Sequence, residues 1–129
     1  MINKEIITDL FFDLDHTLWD FEKNSALTFE HLLKDHQIPV RLDDFLKVYV
    51  PLNLEYWKAF REQQMDKQTL RYRRLKDTFD VLQISIDDDM VYTLADAYIR
   101  NLPEHNHLFP GVIEVLEQLK KQYSLHIIT

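Results

Sequence analysis

Cysteine is absent from this 129-residue chain, which excludes disulfides and any thiolate site. Glycine occurs once and proline four times, leaving little room for flexible linkers. Positive charge is scarce: 15 Lys and Arg face 22 Asp and Glu, for a formal net charge of -7. A sequence-independent nucleic-acid binder needs a basic face, so no nucleic-acid partner is expected. A small anionic ligand fits only where a metal or local cations offset that charge. No run of 18 apolar residues occurs, so no membrane-spanning helix and no membrane partner are expected. Asn3, Lys4 and Glu5 lead into only a short apolar stretch, which is not a secretory signal, and the cytoplasm is the plain reading. Neither internal repeats nor low-complexity segments are visible.

What is present is an ordinary globular balance, 46% hydrophobic and 29% charged, long enough for a sizeable core. One stretch organises it. The apolar run from Ile6 to Phe12 ends in Asp13-Leu14-Asp15-His16-Thr17-Leu18-Trp19. A short run of this kind reads as a buried strand of a parallel sheet. Alternation along an extended chain sends Asp13 and Asp15 the same way. Ligand sites of open α/β sheets lie outside the carboxyl ends of the strands. Two like charges side by side disfavour each other's ionisation, and a divalent cation such as Mg²⁺, which takes oxygen ligands, relieves that repulsion. An Asp at a strand end can also simply cap a turn or the next helix.

Asp13-Leu14-Asp15-His16-Thr17-Leu18 resembles the first motif of the haloacid dehalogenase (HAD) superfamily, Asp-x-Asp-x-Thr-Leu after a hydrophobic strand. The resemblance implies that Asp13 is a nucleophile forming an aspartyl-phosphate. It makes Asp15 the general acid for the leaving alkoxide and then the base for water. Asp13, with the Asp15 carbonyl, would hold Mg²⁺. Thr17 would hold the turn by hydrogen bonding and face the substrate phosphate. A second Asp in the motif favours phosphatases over dehalogenases. Trp19 and Phe21 flank Asp20 and read either as rings covering the core edge or, as the resemblance favours, as a short flap at the substrate entrance.

Along the chain, helical spacing runs from Lys23 to His36, with His31 and His36 read as surface or C-terminal residues. Ile38-Pro39-Val40 is an extended link. Asp43 or Asp44 opens a helix with Phe45, Leu46, Val48 and Tyr49 inside. Pro51 bends that helix or starts the next one, and Leu54, Trp57, Ala59 and Phe60 continue the pattern. Asp66 caps a further helix through Leu82. Its Arg71, Arg73 and Arg74, with Lys67 and Lys76, are either a solvated face paired with acids or a surface meeting an anionic substrate. Asp87-Asp88-Asp89 reads as a helix N-terminus, since three consecutive residues share no helical face. His105-Asn106-His107 is an incomplete ligand set and reads as a link. Pro110 is preorganised for the first turn of a helix reaching Lys120-Lys121. Leu125-His126-Ile127-Ile128-Thr129 then reads as a second buried strand, giving a βαβ unit with a large helical insertion.

That last strand also resembles the second motif of the superfamily, whose terminal hydroxyl, here Thr129, would donate to phosphate. The implied fold class is α/β: an incomplete HAD-like Rossmannoid core with an inserted α-helical bundle cap. Residues 1–19 form the first strand and catalytic loop, 20–105 the cap, and 106–129 the helix and second-motif strand. The finer resemblance is to pyrimidine-type 5′-nucleotidases. It is carried by Phe12-Asp13 with Leu18, by Asn53 before Trp57-Lys58-Ala59-Phe60, and by His126 to Thr129. It implies nucleoside 5′-monophosphates as substrates and Asn53, Trp57 and Arg74 as cap residues facing base or sugar. The Lys and downstream acidic pair that the superfamily uses would follow Thr129. The chain is therefore expected to be the N-terminal part of a longer enzyme, inactive alone, with on the order of 100 further residues at roughly 30 per βα unit. The expected partner is a small phosphorylated metabolite. The alternative is a truncated, non-catalytic helical module that dimerises or binds a partner.

Overall fold

The computed structural model describes residues 6–128. Thr129 lies outside the described residues. The apolar stretch before the two carboxylates forms strand β1 (Asp9–Asp13), which pairs in parallel with β2 (Ser124–Ile128). Asp9 stands opposite Ser124 and Asp13 opposite Ile128. A parallel pair requires a crossover of a dozen residues or more, and every helix of the chain lies in that connection.

The strands are less buried than their composition predicts. Leu10 and Phe12 are half-buried, whereas Phe11, Ile127 and Ile128 are exposed. Continuous apolar strands are buried when both sheet faces are covered, and among the described residues the sheet has two strands only. On the open side the His126 ring stacks on Phe11 at 4.7 Å. The His126 Nε2 lies 2.9 Å from the Asp9 carboxylate. The Thr8 hydroxyl and then His126 hold the Asp9 carboxyl below its ordinary range.

Four helices fill most of the crossover: α1 (Phe21–Asp35), α2 (Leu42–Arg61), α3 (Lys67–Val81) and α4 (Asp88–Asn101). A 3₁₀ turn over Leu102–Glu104 follows. Asp66 and Asp87 cap α3 and α4, their carboxylates accepting from the Thr69 and Met90 amides at 2.6 and 2.8 Å. Each satisfies a helix N–H that has no partner within the helix. The start of α2 differs from expectation. Arg41 takes the cap position without a side-chain bond, and Asp43 and Asp44 sit in the first turn, where the helix dipole favours them. Pro51 neither ends nor starts a helix but lies within the 20-residue α2.

The buried stripe of α2 is Phe45, Tyr49, Asn53 and Tyr56. It runs through a polar residue, while Leu54 is exposed. Phe45 packs on Phe29 and Phe79, with ring centroids 4.8 and 5.6 Å apart, and Phe29 stacks on Tyr98 at 4.5 Å. These rings anchor one core shared by α1 to α4, and aromatic burial of this kind dominates core energetics.

Helix α5 (Val112–Leu119) begins after Gly111, whose φ of +83° places the N-cap in the left-handed region. Glycine adopts that conformation without steric cost. Pro110 therefore stands before the cap and outside the first turn. The chain divides into two compact units. One comprises residues up to Ser25 and from His105 onward, and the other comprises Ala26–Glu104. Among the described residues no helix is long and apolar enough to cross a membrane.

Candidate active site

Asp13 closes β1, and the chain then folds into a tight loop on one acceptor. The Leu14 carbonyl receives the amides of Thr17, Leu18 and Trp19 at 3.4, 3.0 and 2.9 Å. The His16 amide donates to the Trp19 carbonyl at 3.1 Å. Leu18 is buried and anchors the loop from beneath. Asp13, Asp15 and Thr17 are all exposed, and the two carboxylates enter no hydrogen bond or ion pair among the described residues. The turn is held by backbone bonds. The Thr17 hydroxyl expected to hold it makes no such bond among the described residues.

The loop is fixed against the segment that follows the helices. Trp19 forms a parallel bridge with Asp15 and an antiparallel bridge with Leu108. The Asp20 amide donates to the His107 carbonyl at 2.9 Å, and the Phe109 amide to the Leu18 carbonyl at 3.1 Å. The Trp19 indole N–H reaches Asn106 Oδ1 at 3.3 Å. Trp19 and Phe21 are half-buried and meet edge to face at 6.0 Å. The His16 ring lies 5.0 Å from that of Phe21.

Asn24 is a residue that apolar periodicity missed. It is fully buried. Its Nδ2 donates to the His107 carbonyl at 3.1 Å and its Oδ1 accepts from the His107 amide at 2.8 Å. It thus substitutes for a neighbouring strand along one residue of backbone. A lone Asn between Lys23 and Ser25 carries no periodic signal, so nothing in the sequence pattern could have found it. His107, read as part of a link, is the backbone partner in that clamp.

The remaining expected substrate residues lie in the helical unit. Arg74 is buried and donates through Nη1 to Asn53 Oδ1 at 3.2 Å, with its guanidinium over the Tyr98 ring at 5.1 Å. Its Nε is buried without an acceptor among the described residues. Trp57 is half-buried and meets the Phe60 ring at 5.6 Å. The neighbouring cations follow the solvated-face reading: Arg73 pairs with Asp77 at 3.2 Å and Lys76 with Asp80 at 3.1 Å. The structure thus brings Asn53 and Arg74 together, and likewise Trp19 and Phe21. Tyr56 also donates to Asp77. Burial is the first cause of its phenol being pushed up to about 12, with that bond adding to it.

As a metal site the loop offers two exposed oxygen-donor carboxylates without competing partners, a set that suits Mg²⁺. No cluster of three or more His, Cys, Asp or Glu residues suited to a metal occurs among the described residues. The loop can therefore present a carboxylate nucleophile and a second carboxylate for proton transfer, with a cation supported by few protein ligands.

Comparison with known proteins places the chain in a family. A family pattern described as haloacid dehalogenase-like hydrolase matches residues 10–129. The HAD-hydrolase YfnB of Bacillus subtilis (strain 168) is 29% identical over 120 residues, covering 93% of this chain and 49% of YfnB. The pyrimidine 5′-nucleotidase PynA of Streptococcus pneumoniae is 29% identical over 121 residues, again 93% of this chain and 49% of PynA. A crystal structure of YfnB bound to magnesium superposes with a TM-score of 0.85 at 28% identity, covering 95% of this chain and 52% of that one. The chain spans about half the length of these relatives. With a matching pattern over nearly all of its length and Asp13 and Asp15 at the end of β1, the chain belongs to the haloacid dehalogenase-like hydrolases.

Proposed function

We propose that the whole protein is a Mg²⁺-dependent phosphohydrolase of small phosphomonoesters, with nucleoside 5′-monophosphates as its substrates. One observation carries this reading: two exposed carboxylates without a partner among the described residues, Asp13 and Asp15, leave the C-terminal end of a parallel strand in a loop closed on the Leu14 carbonyl. The similarity to PynA, named a pyrimidine 5′-nucleotidase, supports the substrate class. The magnesium-bound YfnB structure supports the cofactor.

In this reading an Asp13 carboxylate oxygen attacks phosphorus, and the bond from phosphorus to the ester oxygen breaks. Asp15 gives its proton to the departing alkoxide. Asp15 then takes a proton from water, whose oxygen attacks phosphorus, releasing inorganic phosphate and restoring Asp13. The Asp13 carboxylate and Asp15 carbonyl would hold Mg²⁺, which would supply the charge neutralisation that lets one anion approach another. Thr17 and Thr129 are assigned to the phosphate oxygens, Trp19 and Phe21 to the entrance, and Asn53, Trp57 and Arg74 to the rest of the substrate.

The test is hydrolysis of nucleoside monophosphates and an aryl phosphate by the whole protein. Asp13→Asn is expected to lower kcat by more than about 10³-fold, the scale seen when a nucleophile is removed. Chelation of divalent cations abolishes turnover, and added Mg²⁺ restores it. Full activity in D13N overturns the proposal. A second reading, a non-catalytic module that dimerises or binds a partner, draws on the exposed Phe11, Ile127 and Ile128.

A further inference from the structure

We infer that His16 is a specificity residue: with Phe21 it forms a stacking face for a planar ring on the leaving group, which selects nucleoside monophosphates over phosphate esters of plain sugars. The inference rests on the phosphohydrolase reading and deepens it.

The first observation is conformational. His16 has φ +64°, a region that glycine enters without cost and other residues seldom enter. The other non-glycine residues of positive φ among the described residues are Gln37, Gln63 and Gln83. They follow the ends of α1, α2 and α3, where a left-handed residue closes a helix. His16 closes no helix. A side chain kept where glycine would relieve the backbone points to a use for that side chain.

The second observation is the ring's surroundings. The His16 side chain is exposed and makes no hydrogen bond among the described residues. Its one ring neighbour is Phe21, at 5.0 Å and 45°. Phe21 is backed in turn by the edge of Trp19, whose indole is held by Asn106. The aromatic group is therefore braced at Trp19 and ends in an exposed, unengaged imidazole at His16. Aromatic faces of this kind accept any base, because every base has a π-face.

The third observation is reach. His16 stands three positions after Asp13 in the same tight loop, so about 10 Å of chain is the upper limit on their separation. A nucleoside 5′-monophosphate with its phosphate at Asp13 brings its ring within that limit. A plain sugar phosphate reaches the same carboxylates without a ring to stack.

The experiment compares kcat/KM for uridine 5′-monophosphate and ribose 5-phosphate with Mg²⁺, in the wild-type whole protein and two variants. H16G relaxes the backbone and removes the ring. H16N suits the left-handed conformation and also lacks a ring, so the test survives if one variant fails to fold. The ratio of the two kcat/KM values is expected to fall about tenfold in H16G and H16N, through KM for the nucleotide. An unchanged ratio in H16G and H16N overturns the inference and leaves the phosphohydrolase standing. Absence of hydrolysis of either ester by wild type removes both.

Discussion

At the scale of single residues, the polar groups that matter divide into those whose partners lie nearby in sequence and those whose partners do not. Asp13, Asp15 and Thr17 were legible because their spacing alone places them at one strand end. Asn24 was not, because its two bonds run to a backbone 83 positions away. Arg74 was legible as part of a basic cluster but not as a buried side chain, since burial depends on Asn53 and Tyr98 arriving from other helices. The Asn24 clamp has a measurable cost. Asn24→Ala removes both bonds and leaves the His107 amide and carbonyl without these partners. The carbonyl keeps the Asp20 amide, so a loss of about 1–2 kcal/mol is expected, the scale of two part-buried hydrogen bonds. Urea denaturation checks it through a lowered midpoint at unchanged slope. A midpoint shift worth less than a few tenths of a kcal/mol would mean water satisfies His107 equally well.

At the scale of elements, local rules carried most of the helices. Asp66 and Asp87 were readable as caps because a cap bond spans three residues, and both bonds are present. The extent of α2 was less readable. Proline inside a helix costs about 3 kcal/mol relative to alanine, which argued for a bend in that helix or the start of a new one at Pro51. The structure keeps one helix because its inward stripe, from Phe45 to Tyr56, is buried on both sides of that position. Pro51 itself is exposed and contributes no buried packing. Pro51→Ala restores a donor for the Lys47 carbonyl while giving back about 0.4–1 kcal/mol of unfolded-state entropy. A net stabilisation of about 2–2.6 kcal/mol follows, read as a raised Tm. A lowered Tm would show that the proline ring holds a bend that the stripe needs.

At the scale of the whole molecule, the two units differ in how they bury apolar surface. The helical unit encloses Phe45, Phe79 and Val91 completely. The strand-bearing unit leaves Phe11, Ile127 and Ile128 exposed on one two-stranded sheet, whereas the exposed Val50, Leu54, Val81, Tyr92 and Ile99 of the helical unit are spread over three helices. The 129-residue chain on its own is therefore expected to enhance the fluorescence of a hydrophobic dye, and Phe11→Ser to reduce that signal. A monomer that leaves the dye dark, shown by sedimentation and fluorescence together, would rule out an accessible apolar face and with it the partner-binding reading.

The linear order of residues was enough for the Asp-x-Asp-x-Thr loop, the two extended segments, the helix-rich connection and the acidic caps. Each depends on side-chain alternation, helical period or a hydrogen bond closed within a few residues, and such terms act before distant segments meet. Folding in three dimensions settled what depends on partners: that Asn53 and Arg74 lie inside while Leu54 lies outside, that Asn24 grips His107, and that Phe11 faces solvent. The reason is physical. A polar side chain can be buried only if another element brings it a partner, and an apolar one is buried only if another layer covers it. No repeat along the chain records either condition.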